Sequence, residues 1–145
     1  MNNWIRLSLV AAVSFGLGAL VTARLGSANK VSAASNRVYE LRIYHTAPGK
    51  LANLQTLFRD HTVPMFKKHG LDSIGYWVPQ DKPDSESTWI YILAHKSRDD
   101  AKKNWAAFQA DPDWQAALKA ANADGKVVEK IDSTFMDPAD ISPLK

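Results

Sequence analysis

Arg37–His45 reads R-V-Y-E-L-R-I-Y-H. Tyr39, Leu41 and Ile43 alternate with Val38, Glu40, Arg42 and Tyr44, and a period of two over this length marks a β-strand. Ala47-Pro48-Gly49-Lys50 then turns the chain. From Leu51 to His69 the spacing becomes helical, with Leu51, Leu54, Phe58, His61, Met65 and His69 on one stripe. Gly70 stands where a helix C-terminal glycine belongs. It follows Lys67, Lys68 and His69, whose charge suits the negative end of the helix dipole. Pro64 removes one backbone donor inside this helix, disfavours helical geometry at Val63 and predicts a kink there.

Working outward, Ile74–Val78 (IGYWV) and Thr88–His95 (TWIYILAH) read as strands around the polar turn Pro79–Ser87. In Thr88–His95, Ile90, Ile92 and Ala94 share one face and Trp89, Tyr91, Leu93 and His95 the other. Ser97 caps a helix over Arg98–Ala110, anchored by Trp105 and Phe108. Asp111-Pro112 restarts a short helix anchored by Trp114 and Leu118. After Asp124-Gly125, Lys126–Met136 is the last strand. The order βαββαβ, its second helix split, is an α+β, ferredoxin-like arrangement: a four-stranded antiparallel sheet with helices on one face. Tyr44, Trp89, Tyr91 and Leu93 are expected on the other face. So large an apolar face needs a cover, and a two-fold homodimer, sheet against sheet, is the simplest closed one.

The 145-residue chain is 46% hydrophobic and 23% charged, which is globular composition, and it has no cysteine. That excludes a disulfide scaffold, a thiolate metal site and a cysteine nucleophile. The net charge of +3 does not imply nucleic acid. Three of the eighteen basic residues, Arg6, Arg24 and Lys30, lie in an acid-free stretch of 33 residues, leaving fifteen against fifteen acids in the rest. Leu7–Ala23 follows a basic start and carries no charge over 17 residues. It reads as a signal peptide (residues 1–23) that sends the domain to the periplasm or outside the cell, or as an uncleaved anchor in the inner membrane. Residues 24–36 are a linker, 37–136 the folded domain and 137–145 a tail.

Tyr39-Glu40-Leu41-Arg42-Ile43-Tyr44 with Pro48-Gly49-Lys50, then His61-Thr62-Val63-Pro64, His69-Gly70, Gly75-Tyr76-Trp77 and Asp111-Pro112-Asp113-Trp114-Gln115, together resemble the NIPSNAP family from Arg37 to Met136. The resemblance implies a dimeric α/β barrel. Relatives of that fold include cofactor-independent monooxygenases, haem-degrading enzymes and binding proteins, so no single chemistry follows from it. His95 stands where the family resemblance leads one to expect an aromatic residue such as Tyr.

His61 is the best catalytic candidate. On the apolar stripe, one turn before Pro64, it is expected to face a cavity between helix and sheet, near Tyr44, Tyr76 or Trp77. There it would act as a general base or as a haem ligand, or be a core histidine bonded to backbone. His69 reads as a helix-terminal cation or a second candidate haem ligand. Tyr44, Tyr76, Trp77, Tyr91 and Trp105 are candidate pocket residues for a small hydrophobic ligand, with core packing as the other reading. Glu40 and Arg42 are placed on the helix-free face, with Arg42 as an anion-orienting arginine in a cleft or the two as a charge pair at the dimer interface or rim. His45 and His95 end strands without a ligand motif, so no metal is expected, and no motif requires a cofactor. Three functions remain: a ligand-binding protein of the cell envelope, a cofactor-independent oxygenase or isomerase using His61, and a haem binder.

Overall fold

In the computed structural model, residues 37–144 are described. The readings of residues 1–36 as signal or anchor and linker lie outside that range. The first strand, β1 (Val38–Thr46), takes a central place, hydrogen-bonded on both edges. β2 (Asp72–Trp77), β3 (Thr88–His95) and β4 (Val128–Met136) complete a sheet of order β2-β3-β1-β4. All its pairs are antiparallel, and Arg42 stands opposite Tyr91 of β3 and Ser133 of β4. This is the expected ferredoxin-like topology.

The helices α1 (Leu51–Leu57), α2 (Val63–Lys68), α3 (Arg98–Ala110) and α4 (Pro112–Ala121) lie against one side of the sheet. Their ends obey local chemistry. Ser97 Oγ accepts the Asp100 N–H at 3.0 Å, and Asp111 Oδ1 accepts the Asp113 N–H at 2.9 Å. Gly70, at φ +69°, lets Leu71 N–H close back on the Phe66 carbonyl at 2.9 Å, the bond that ends a helix on a left-handed residue.

Two expectations about facing are corrected. Tyr91 and Leu93 are fully buried under the helices, with Tyr44 and Trp89 packed against the same core of Leu54, Leu57, Phe58, Phe66 and Phe108. By strand alternation Glu40 and Arg42 also face the helices, and Leu41, Ile43, Ile90 and Ile92 form the open face. The larger rings go where the helices leave volume to fill. The tail returns over one end of the open face, where Pro138, Ser142 and Leu144 approach Tyr39, Ile92 and Met136.

The second correction concerns the first helix. Between α1 and α2, Phe58–Thr62 form a π-turn, in which Val63 N–H reaches five residues back to the Phe58 carbonyl. Thr62 Oγ1 donates to the Leu57 carbonyl at 3.3 Å. The wider turn absorbs the donor missing at Pro64 and advances the inward stripe by one residue. Thr62 and Phe66 point into the core in place of His61 and Met65; His61 is exposed and Met65 only partly covered. Phe66→Ala should therefore cost about 3–5 kcal/mol, and His61→Ala less than about 0.5 kcal/mol, in urea unfolding. Comparable losses at the two positions would contradict this register.

Candidate functional site

The site begins with a carboxylate in the middle of a strand. Glu40 is 1% exposed, and all four of its partners are side chains. Oε1 accepts from Arg42 Nη1 and Ser133 Oγ, both at 2.7 Å. Oε2 accepts from Trp105 Nε1 at 2.7 Å and His95 Nε2 at 3.0 Å. An ionised carboxylate only accepts, so His95 donates from Nε2, and its buried Nδ1 has no partner among the described residues. Burial by itself would push the Glu40 carboxyl up; the bonds from His95, Trp105, Ser133 and Arg42 outweigh it and hold the group down at about 2.

Arg42 extends this cluster toward a cavity. Its guanidinium lies 4.4 Å from the centre of the Trp105 ring, and Nη2 reaches Tyr44 Oη at 3.5 Å. Burial opposes its charge, while Tyr91, Tyr44 and Glu40 favour it, so its pKa lies above the ordinary arginine value. Tyr91 Oη donates to Tyr44 Oη at 2.9 Å, and burial keeps the Tyr91 phenol protonated far into the alkaline range. Arg42 and Tyr44 form the polar end of a cavity of about 340 Å³ between sheet and helices. Its walls are carbon: Leu54 and Phe58 from the first helix, Trp105 and Phe108 from α3, Trp114 and Leu118 from α4, Val128 and Ile131 from β4. The exposed Gln109 and Gln115 stand at its rim.

Of the six candidates from sequence, Tyr44 and Trp105 line this cavity. Tyr91 lies behind it, fully buried, and acts on it through Tyr44. Tyr76 is stacked on Trp89 at 5.8 Å and borders a separate depression with Arg59 and Val63. Trp77 is 46% exposed and lies beside Ile90 on the open face, its ring over Gly75. His61 lines an outer, more open groove between α1 and α4, among Ala52, Ala117 and Ala121. His69 Nε2 bonds to Asp111 Oδ2 at 2.8 Å, beside Lys68 Nζ at 2.7 Å. Lys68 and His69 hold the Asp111 carboxyl well below the usual carboxylate range. Neither imidazole is among the residues lining the helix–sheet cavity, so neither fits the part of an axial haem ligand there. His45 and His95 stand at opposite ends of the β1–β3 pair, and His45 bonds to Asp132 on the open face. Among the described residues no three His, Asp or Glu side chains converge as a metal site would require.

Sequence reasoning paired Glu40 with Arg42 but put them on the wrong face, and it left Ser133 and His95 out. The usable signal was the ion pair at i, i+2 in an otherwise apolar strand. Two charges on one face of a central strand must either meet water or bury together.

The NIPSNAP family model matches residues 39–143. The chain belongs to the NIPSNAP family. A NIPSNAP family protein of unknown function from Agrobacterium tumefaciens is 26% identical, with a TM-score of 0.66 over 77% of this chain and 96% of that one. An uncharacterised NIPSNAP-like domain protein from Burkholderia xenovorans is 17% identical, with a TM-score of 0.65 over 75% and 90%. A Caulobacter crescentus protein provisionally named an antibiotic biosynthesis monooxygenase is 16% identical, with a TM-score of 0.50 over 74% and 93%, and shares the fold alone. No curated protein matches the sequence significantly. The NIPSNAP assignment and the observed topology agree, and the matched residues include the whole Glu40 cluster.

Glu40→Gln should cost about 3 kcal/mol at pH 7, because it leaves Arg42 buried without its counter-charge. The folded carboxyl titrates below the unfolded one, so its contribution is complete above about pH 4.5 and is lost as pH falls toward 2. The stability gap between wild type and Glu40→Gln should stay level from pH 7 to about 5 and then close. Urea unfolding at each pH measures it, and a gap that widens on acidification would contradict the ionised cluster.

Proposed function

We propose that this NIPSNAP protein binds a small hydrophobic ligand in the cavity between its helices and sheet. One observation carries the reading: the cavity walls are largely apolar, Arg42 and Tyr44 stand side by side on its floor, and the other polar side chains are the buried Thr62 and the exposed Gln109 and Gln115 of the rim. That is how small-molecule sites combine affinity with orientation. A volume of about 340 Å³ suits a single chain or a pair of rings. Mass spectrometry of the denatured, purified protein should find an apolar species retained in stoichiometric amount. Leu118→Trp, which fills the mouth of the cavity, should lose it while the fold survives. Equal retention by the filled variant, or neither a retained species nor saturable binding of the neutral probe 1-aminoanthracene, would contradict the reading.

The same proposal includes a homodimer. Leu41, Ile43, Ile90 and Ile92, with Trp77 beside them, make an apolar sheet face for which a second copy is the simplest cover. Ile92→Asp puts a charge into that face and should give monomers or aggregates by light scattering. A wild-type protein that is monomeric at micromolar concentration would contradict the dimer. Among the described residues no helix is long and apolar enough to cross a membrane. The proposed export to the periplasm or cell exterior, or inner-membrane anchoring, rests on residues 1–23, and N-terminal sequencing after cell fractionation tests it.

A further inference from the structure

We infer that the ligand of this cavity carries a carboxylate, or an equivalent anionic acceptor, at one end of a hydrophobic body, and that Arg42 and Tyr44 hold it. The inference rests on the reading of the cavity as a ligand site and comes from counting the valences of the groups at its floor. Glu40, the one acid of the cluster, is saturated: each oxygen already accepts two bonds. The Trp105 N–H is committed to Glu40, and the Thr62 hydroxyl proton to the Leu57 carbonyl. Tyr44 Oη accepts from Tyr91 Oη and from Arg42 Nη2, so both its lone pairs are engaged and its own proton is free. Arg42 has only donors, and two of its five N–H groups go to Glu40 and Tyr44. What Arg42 and Tyr44 offer a ligand is therefore N–H and O–H; beside them the Thr62 hydroxyl oxygen keeps its lone pairs, but the residue is only 2% exposed.

A ligand amine would meet the Arg42 charge there and, for an acceptor, only the buried Thr62 hydroxyl oxygen. An alcohol would use part of the floor. A carboxylate accepts from Arg42 and Tyr44 together, and its bond to the guanidinium is charge-assisted. Glu40 lies behind Arg42, its charge already met by four donors, so the guanidinium presents the near charge to the cavity. The walls of Phe108, Trp114, Leu118 and Ile131 take the rest of the molecule.

Three probes with one chain length separate the head from the body: decanoate, decan-1-ol and decylamine, each below its micelle concentration. Binding is read from the tryptophan fluorescence, which Trp105 and Trp114 in the cavity wall make sensitive to an occupant. Decanoate should bind about tenfold or more tighter than decanol, the effect of a charge-assisted bond, with decylamine weakest. Arg42→Lys keeps a cation for Glu40 but loses the flat set of donors, and should remove most of the preference for decanoate while changing decanol little. Where Arg42→Lys does not fold, Tyr44→Phe decides, because it removes the free phenolic proton and should narrow the same preference. If neither decanoate nor decanol saturates, the cavity reading itself fails, and this inference with it. If decanol or decylamine binds as tightly as decanoate, the cavity stands and the carboxylate is overturned. A decanoate preference that survives the folded Arg42→Lys and Tyr44→Phe variants would place the anion elsewhere and overturn the assignment.

Discussion

A carboxylate with 1% exposure in the central strand of a four-stranded sheet is the constraint on which this molecule turns. An ion in that position is costly unless it is paired and every lone pair is used. Glu40 meets the condition by drawing on four elements at once: Arg42 from its own strand, His95 from β3, Ser133 from β4 and Trp105 from α3. Each bond also fixes something else. Ser133 and His95 tie both neighbouring strands to β1 in their observed register, since a slip by one residue would turn them to the other face. Trp105 joins a helix to the sheet through a polar bond within an apolar layer.

The same cluster orients the cavity. Arg42 cannot turn away without leaving Glu40, and the ring of Trp105 braces it from the side. Tyr44 is fixed in turn by Arg42 and by the buried Tyr91. The polar end of the cavity is thus preorganised by groups whose own partners lie in the core, which spares a ligand the cost of ordering them. The helices supply carbon walls and little polar chemistry. His61 and His69, at first sight the obvious candidates, are not among the residues that line this cavity.

Much of the architecture was legible from local rules. The alternation in Arg37–His45 and Thr88–His95, the Ser97 and Asp111 caps and the glycine at 70 placed strands and helices close to where they lie. Facing was not legible. Both sides of β3 carry large apolar residues and one side of β1 carries two charges, so periodicity separates the two sets of residues without telling which is inside. The charges of Glu40 and Arg42 pointed to the wrong side, because only the tertiary fold shows that His95, Trp105 and Ser133 are there to receive them. His61 was displaced for a different reason: the π-turn before Pro64 adds one residue to a helical turn, and a stripe drawn at 3.6 residues cannot anticipate it. Of the site, Tyr44 and Trp105 could be named from sequence. The bonds that make them a site depend on strand register and helix packing.

The family model establishes the family, likeness to the Agrobacterium and Burkholderia proteins supports the fold, and the chemistry is left to the cavity and its floor. The strand register and the polar end of the cavity both depend on one microscopic state, an ionised Glu40 inside the protein. Side-chain carboxyl carbons can be followed by NMR through an acid titration with Glu40→Gln used to assign the resonance. The Glu40 carboxyl should stay ionised well below the range of exposed glutamates, with a midpoint near 2 or loss of the fold before it is reached. A midpoint at or above the ordinary value of 4.5 in the folded protein would contradict it.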